Sequence, residues 1–69
     1  MDNHPTQLRA PFGKFRVVGV DTFDHTDWVE GDFDTKDAAI DHARSRGGEM
    51  LKMHVYDDQQ RHIEQAGTF

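Results

Sequence analysis

The sequence repeats one pattern, a strand followed by a polar turn and a returning strand, on either side of a short helical stretch. Residues 18–21 (VGVD) lead to 31–33 (GDF), and residues 53–56 (MHVY) lead to 67–69 (GTF). Residues 35–46 lie between the two copies and have helical character. Two strands joined by a short turn fold back on each other, so the repeat predicts two β-hairpins flanking one helix.

This order of elements predicts an α+β fold of the ββαββ type. We expect the hairpins to form one mainly antiparallel four-stranded sheet, with the helix packed on one face. Residues 1–13 are interpreted as a flexible N-terminal leader, with Leu8 and Phe12 as its anchors, and residues 14–69 as the single domain. From the pseudo-symmetry of the hairpins, we expect the first and last strands at the centre of the sheet.

The helix is marked at both ends by residues that satisfy its free backbone groups. Asp34 or Thr35 can accept a hydrogen bond from a first-turn N–H, and the glycine pair at 47–48 can adopt a positive φ where the helix ends. Ala39 and Ala43 share one helical face. Their small side chains predict a close approach of the helix to the sheet.

Charge and composition narrow the classes of partner. The 69 residues carry a net charge of −5, with thirteen acidic against eight basic side chains, so no nucleic-acid partner is expected. No apolar run approaches the roughly 20 residues that span a bilayer, and residues 1–13 lack a signal-peptide pattern. We therefore expect no membrane partner and a cytoplasmic location. With no cysteine to reinforce a thin core, self-association is one route to added stability.

Alternation of side chains in the second hairpin predicts one candidate surface. Pairing Val55 with Ile63 on the helix side leaves a loop at 58–60, whose last residue, Gln60, needs the left-handed conformation that glycine favours. The same register pairs Tyr56 with His62 and His54 with Glu64. The side chains expected on the helix-free face are therefore His54, Tyr56, His62 and Glu64. By the repeat, Trp28 and Glu30 are expected to join them.

Two interpretations of this surface stay open. It is either a recognition patch for a protein partner or a second copy of the chain, or a set of ordinary cross-strand pairs on a solvated face. A third, sharper hypothesis is a metal or small-ligand site, on the sheet face or at a dimer interface. It would use His54, His62 and Glu64, because imidazole and carboxylate groups are common metal ligands.

The face also carries an electrostatic expectation. A carboxylate opposite an imidazole favours its charged form, so Glu64 is expected to raise the pKa of His54 above about 6.5. Stability contributed in this way would be present at low pH and fade as the pH rises through the folded-state pKa.

Catalytic patterns are weak in this chain. Ser45 is the only serine, it lies between two arginines, and no base is evident beside it. The glycine pair at 47–48 follows a helix rather than a strand, so it does not predict a phosphate cradle. We therefore expect no enzymatic activity and no cofactor.

Several segments resemble small uncharacterised bacterial proteins with a ββαββ layout. The similarity covers residues 14–21, 31–35, 55–58 and 67–69, which are turns, a helix cap and core aromatic residues. It implies the fold and carries over no catalytic residue. The hypothesis from sequence is a non-enzymatic protein-interaction or regulatory module that acts through the open sheet face or an edge strand.

Overall fold

A computed structural model of the protein describes residues 7–67. The elements are β1 (Phe15–Asp21), β2 (Thr26–Phe33), α1 (Lys36–Arg46), β3 (Leu51–Tyr56) and β4 (His62–Ala66). The four strands form one antiparallel sheet, and α1 packs on one of its faces, so the predicted ββαββ layout is confirmed. The first part of the predicted leader (1–6) and the end of the repeat (68–69) lie outside the described residues.

The strand order is β2-β1-β3-β4, so the expectation that the first and last strands are central is wrong. β1 and β3 occupy the centre. These two strands carry the most deeply buried strand side chains: Val17 and Val18 of β1 and Met53 and Val55 of β3 are each at most 1% exposed. A central strand is covered on more sides than an edge strand, which explains why the most apolar strands lie there.

The helix begins where the sequence predicts. The Oγ1 atom of Thr35 accepts a hydrogen bond from the Ala38 N–H at 3.1 Å, and α1 then runs to Arg46. Ala39 and Ala43 are fully buried against the sheet, as their small size predicts. Within residues 7–67, no helix is both long enough and apolar enough to cross a bilayer.

The glycine pair after the helix has a different role from the one expected. Gly47 has φ −68° and ψ 148°, so it is extended rather than left-handed. A Cβ atom at this position would lie 2.9 Å from the backbone nitrogen of Gly67, so glycine is needed here for close approach to the end of β4. The left-handed residue of this loop is Met50, at φ 64°.

Part of the leader is hydrogen-bonded to the β3–β4 loop. The Ala10 N–H donates to the Asp57 carbonyl at 3.2 Å, and Arg9 Nε donates to the Asp58 carbonyl at 3.0 Å. Ala10 is 3% exposed, whereas Phe12 is 95% exposed. The anchor of the described part of the leader is therefore Ala10, not Phe12.

The β3–β4 loop confirms the prediction made for Gln60, which adopts φ 61°. The Asp57 carboxylate organises this loop by accepting the N–H groups of Gln59 and Arg61, each at 2.8 Å, and the Arg61 Nε at 2.9 Å. The backbone hydrogen bond from Arg61 is the main cause that holds the pKa of Asp57 below its usual range. The loop is therefore well satisfied except for the strained conformation of Gln60.

We predict that Gln60→Gly stabilises the protein by about 0.5–1 kcal/mol, because glycine adopts a positive φ without the steric cost of a Cβ atom. Urea denaturation measures the free energy of unfolding. The matched control is Gln59→Gly, at a neighbouring position without a positive φ, which is expected to be neutral or destabilising. Equal effects of the two substitutions would contradict this description of the loop.

Candidate functional site

Each edge strand contains a β-bulge, and the bulges decide which side chains share a face. In β2, Val18 pairs with Val29 and Val17 pairs with Gly31, so Glu30 is the additional residue. In β4, Tyr56 pairs with His62 and Val55 pairs with Glu64, so Ile63 is the additional residue. A regular strand alternates strictly between faces, and one inserted residue reverses the alternation that follows it.

The bulge in β4 changes part of the predicted register. The Tyr56–His62 pair is confirmed, but Val55 does not pair with Ile63 and His54 does not pair with Glu64. Ile63 and Ala66 both pack against the core although they are three residues apart, which a regular strand does not allow. The inserted residue resolves this conflict.

As a consequence, Glu64 lies on the helix side of the sheet. Its Oε2 atom is 3.5 Å from Arg44 Nη2 of α1, and Gln65 takes its place opposite His54. The prediction that Glu64 belongs to the helix-free face is wrong.

Trp28 and Glu30 also lie on the helix side, contrary to the prediction from the repeat. Trp28 pairs with Gly19 and packs against the core, and a Cβ atom at Gly19 would lie 2.6 Å from the indole ring. Phe33 packs against the same core although it is five residues further along. The bulge at Glu30 allows two aromatic residues at odd spacing to face the helix together.

The Glu30 carboxylate is the centre of a polar cluster that the sequence did not predict. It accepts hydrogen bonds from Trp28 Nε1 at 2.7 Å, His42 Nε2 at 2.9 Å and Arg46 Nε at 3.2 Å. Its side chain is only 10% exposed. The hydrogen bond from Trp28, followed by that from His42, lowers the pKa of Glu30 to about 2. Gly19, a glycine within an apolar strand, was the sequence signal for a large neighbouring ring.

This cluster fastens β2 to the C-terminal half of α1, and its geometry does not form a nucleophilic dyad. The Ser45 Oγ donates to the His42 carbonyl at 3.0 Å, so the hydroxyl is bonded to the backbone rather than to the imidazole. The His42 ring packs on Phe33 with 5.0 Å between ring centroids. The arrangement supplies stability to the fold.

The helix-free side of the sheet is called the open face below. Its side chains form three rows across β2, β1, β3 and β4: Asp32, Arg16, Tyr56 and His62; Val29, Val18, His54 and Gln65; and Asp27, Val20 and Lys52. Of the six predicted site residues, the structure places His54, Tyr56 and His62 together here.

These three residues form a cluster of rings. His54 Nδ1 lies 3.1 Å from His62 Nε2, and the two ring centroids are 5.2 Å apart. The Tyr56 ring lies 5.4 Å from His62 and 6.2 Å from His54. His54 and Tyr56 are half-buried and His62 is exposed, so the cluster presents both a nonpolar surface and ring nitrogens to a partner.

The electrostatics of His54 are the reverse of the expectation. Partial burial, followed by the positive charges of His62 and Lys52, lowers the pKa of His54 below its ordinary value of 6.5. The expected increase depended on Glu64, which lies on the other face. Burial also raises the pKa of Tyr56.

The predicted three-residue metal ligand set is not formed. Glu64 cannot join His54 and His62 from the opposite side of the sheet. Among residues 7–67, no group of three or more histidine, cysteine, aspartate or glutamate side chains is placed to hold a metal ion.

One corner of the open face is in contact with the leader. Arg16 forms a two-point salt bridge with Asp32, at 2.7 and 3.0 Å, and its Nη1 donates to the Gln7 carbonyl at 3.0 Å. A separate groove of about 260 Å³ lies between the leader and the β3–β4 loop. It contains none of the predicted site residues; its lining is Arg9, Ala10, Phe12, Asp58 and Gln59.

Comparisons with protein-family models, with curated proteins and with solved structures found no match. The functional argument therefore rests on the geometry and chemistry of this chain.

We predict that Glu30→Gln destabilises the protein by about 1–3 kcal/mol, because charge-assisted hydrogen bonds are lost from a mostly buried group. Because the folded-state pKa of Glu30 is lowered from 4.5 to about 2, its contribution is present above pH 4.5 and is lost as the pH falls toward 2. Thermal unfolding measured across this range should therefore show a smaller acid loss in Glu30→Gln than in the wild type.

Glu49→Gln is the matched control, because Glu49 is exposed. Its effect is expected to stay within about 0.5 kcal/mol at every pH. If Glu30→Gln behaves like this control, the cluster around Glu30 is not formed in solution.

We further predict that His54 titrates below 6.5 in an NMR titration with a chelator present. A lowered histidine pKa means that the neutral form is favoured by folding, so stability is complete above 6.5 and falls as the pH decreases through the folded-state pKa. His62→Gln should move the His54 midpoint upward, because it removes one neighbouring positive charge.

Glu64→Gln provides the opposing test of register. It should leave the His54 midpoint unchanged, since Glu64 lies across the sheet. A downward shift of that midpoint in Glu64→Gln would restore the register without a bulge.

Proposed function

We propose that this protein is a non-enzymatic interaction module that binds a second copy of itself through the open face. The observation that carries the proposal is the separation of charge across this face. Carboxylates lie on the β2 side, at Asp27 and Asp32, and basic groups lie on the β3–β4 side, at Lys52, His54 and His62.

The two edge strands are less suited to recognition than the face. Both contain a β-bulge, at Glu30 in β2 and at Ile63 in β4. Bulges interrupt the row of backbone groups on which an incoming strand would pair, and natural proteins use them to protect sheet edges. This favours the open face over an edge strand among the two surfaces predicted from sequence.

The charge pattern favours one way of joining two copies. A two-fold axis parallel to the strands, between β1 and β3, places β2 of each copy over β4 of the other. The acidic side of one face then meets the basic side of its counterpart. An in-plane axis perpendicular to the strands would place β2 over β2 and bring like charges together, which costs free energy.

The size of the face indicates weak and reversible association. Four strands about 4.8 Å apart, with residues rising about 3.3 Å each, give a face of roughly 400 Å² in projection. A stable interface buries about 800 Å² per partner. Val18, at the centre, is already 1% exposed, so contacts with a second copy fall on the surrounding polar and aromatic side chains.

We predict that Lys52→Glu weakens self-association, because it places a negative charge on the basic side of the open face. Sedimentation velocity or NMR diffusion over a concentration series to about 1 mM would measure this, since interfaces of this size give micromolar to millimolar affinity. Added salt should weaken the wild-type association as well.

Lys36→Glu is the matched control: it makes the same change of charge at an exposed position on the first turn of α1. The double variant Asp27→Lys with Lys52→Glu reverses both sides and should regain association. A wild-type protein that stays monomeric over the whole series, or equal weakening by Lys36→Glu, would contradict the proposal.

A further inference from the structure

We infer that His54 and His62 form a two-histidine site for a divalent first-row transition metal ion, with Cu²⁺ bound most tightly. The inference goes beyond the proposed self-association and does not require it. The observation behind it is the distance of 3.1 Å between His54 Nδ1 and His62 Nε2.

This distance matches two neighbouring ligands of one metal ion. Imidazole nitrogens bind such ions at about 2.0–2.1 Å. Two bonds of that length, at angles from about 90° to 109°, separate the nitrogens by about 2.9–3.4 Å. The observed spacing falls inside this interval, and the rings are tilted by 57° rather than stacked. A metal ion would replace the imidazole–imidazole hydrogen bond.

The backbone holds both ligands on regular structure. His54 lies within β3 and His62 begins β4, where it pairs with Tyr56. Groups on paired strands are better fixed than groups on loops, which reduces the entropy lost when a metal ion binds. Half-burial of His54 and the neighbouring Tyr56 ring further restrict the imidazole.

The donor set decides which ions fit. Neutral imidazoles suit Cu²⁺, Ni²⁺ and Zn²⁺ rather than Mg²⁺ or Ca²⁺, and the general affinity order places Cu²⁺ highest. With two protein ligands, the remaining coordination positions belong to water. The site therefore binds exchangeable metal rather than a permanent structural ion.

The other described histidines are less suited to this role. The His42 Nε2 atom is engaged by the Glu30 carboxylate and its ring packs on Phe33. His25 lies in the exposed β1–β2 turn. These positions make His25 a useful control for non-specific binding by a single imidazole.

The test is a Cu²⁺ titration of the full chain, followed by calorimetry and by paramagnetic broadening of NMR signals. Broadening should begin at His54, Tyr56 and His62. His62→Gln should weaken binding about 100-fold, because the second ligand of a chelate acts at high effective concentration. His25→Gln should leave the affinity unchanged, and so should His4→Gln, which tests the residue outside the described range.

Two results would overturn the inference. One is broadening of the wild-type signals that begins at His4 or His25 instead of the pair. The other is unchanged affinity in His62→Gln. The broadening pattern needs no variant, so the test holds even if a substitution perturbs folding, and the monomer–dimer measurement with chelator present assesses the proposed function separately.

Discussion

The rest of the structure depends on where the two edge strands insert an additional residue. Trp28 and Phe33 are separated by an odd number of positions, yet both pack against the core. A regular strand would expose one of them, at a cost of about 1.5–3 kcal/mol for a large apolar side chain. The bulge at Glu30 removes this conflict and brings the Glu30 carboxylate beneath the helix. The bulge at Ile63 resolves the same conflict in β4.

Local chemistry explains what the sequence predicted correctly. The Thr35 cap, the buried Ala39 and Ala43 and the left-handed Gln60 each follow from residues within a few positions of one another. The face of Glu64 and of Trp28 did not follow, because a bulge is placed by packing across the sheet rather than by the strand itself. Strand order likewise depended on which strands bury most surface on both sides. The sequence therefore predicted the elements better than it predicted their faces.

The same bulges determine the chemistry of the open face. By moving Trp28, Glu30 and Glu64 to the helix side, they leave His54 beside His62 with no carboxylate directly opposite. This explains why the pKa of His54 is lowered rather than raised. It also leaves the carboxylates of the open face on β2, so the face acquires the polarity on which the proposed self-association depends. Fold stability and recognition thus share one structural cause.

The placement of the bulges is tested most directly by cross-strand nuclear Overhauser effects in the isotope-labelled protein. The account predicts backbone contacts between His54 and Gln65, and contacts from both Trp28 and Phe33 rings to the Ala39 and Ala43 methyl groups. Contacts that pair His54 with Glu64, or that place only one of the two rings near the helix, would contradict it. Either result would remove the structural basis for the open face described above.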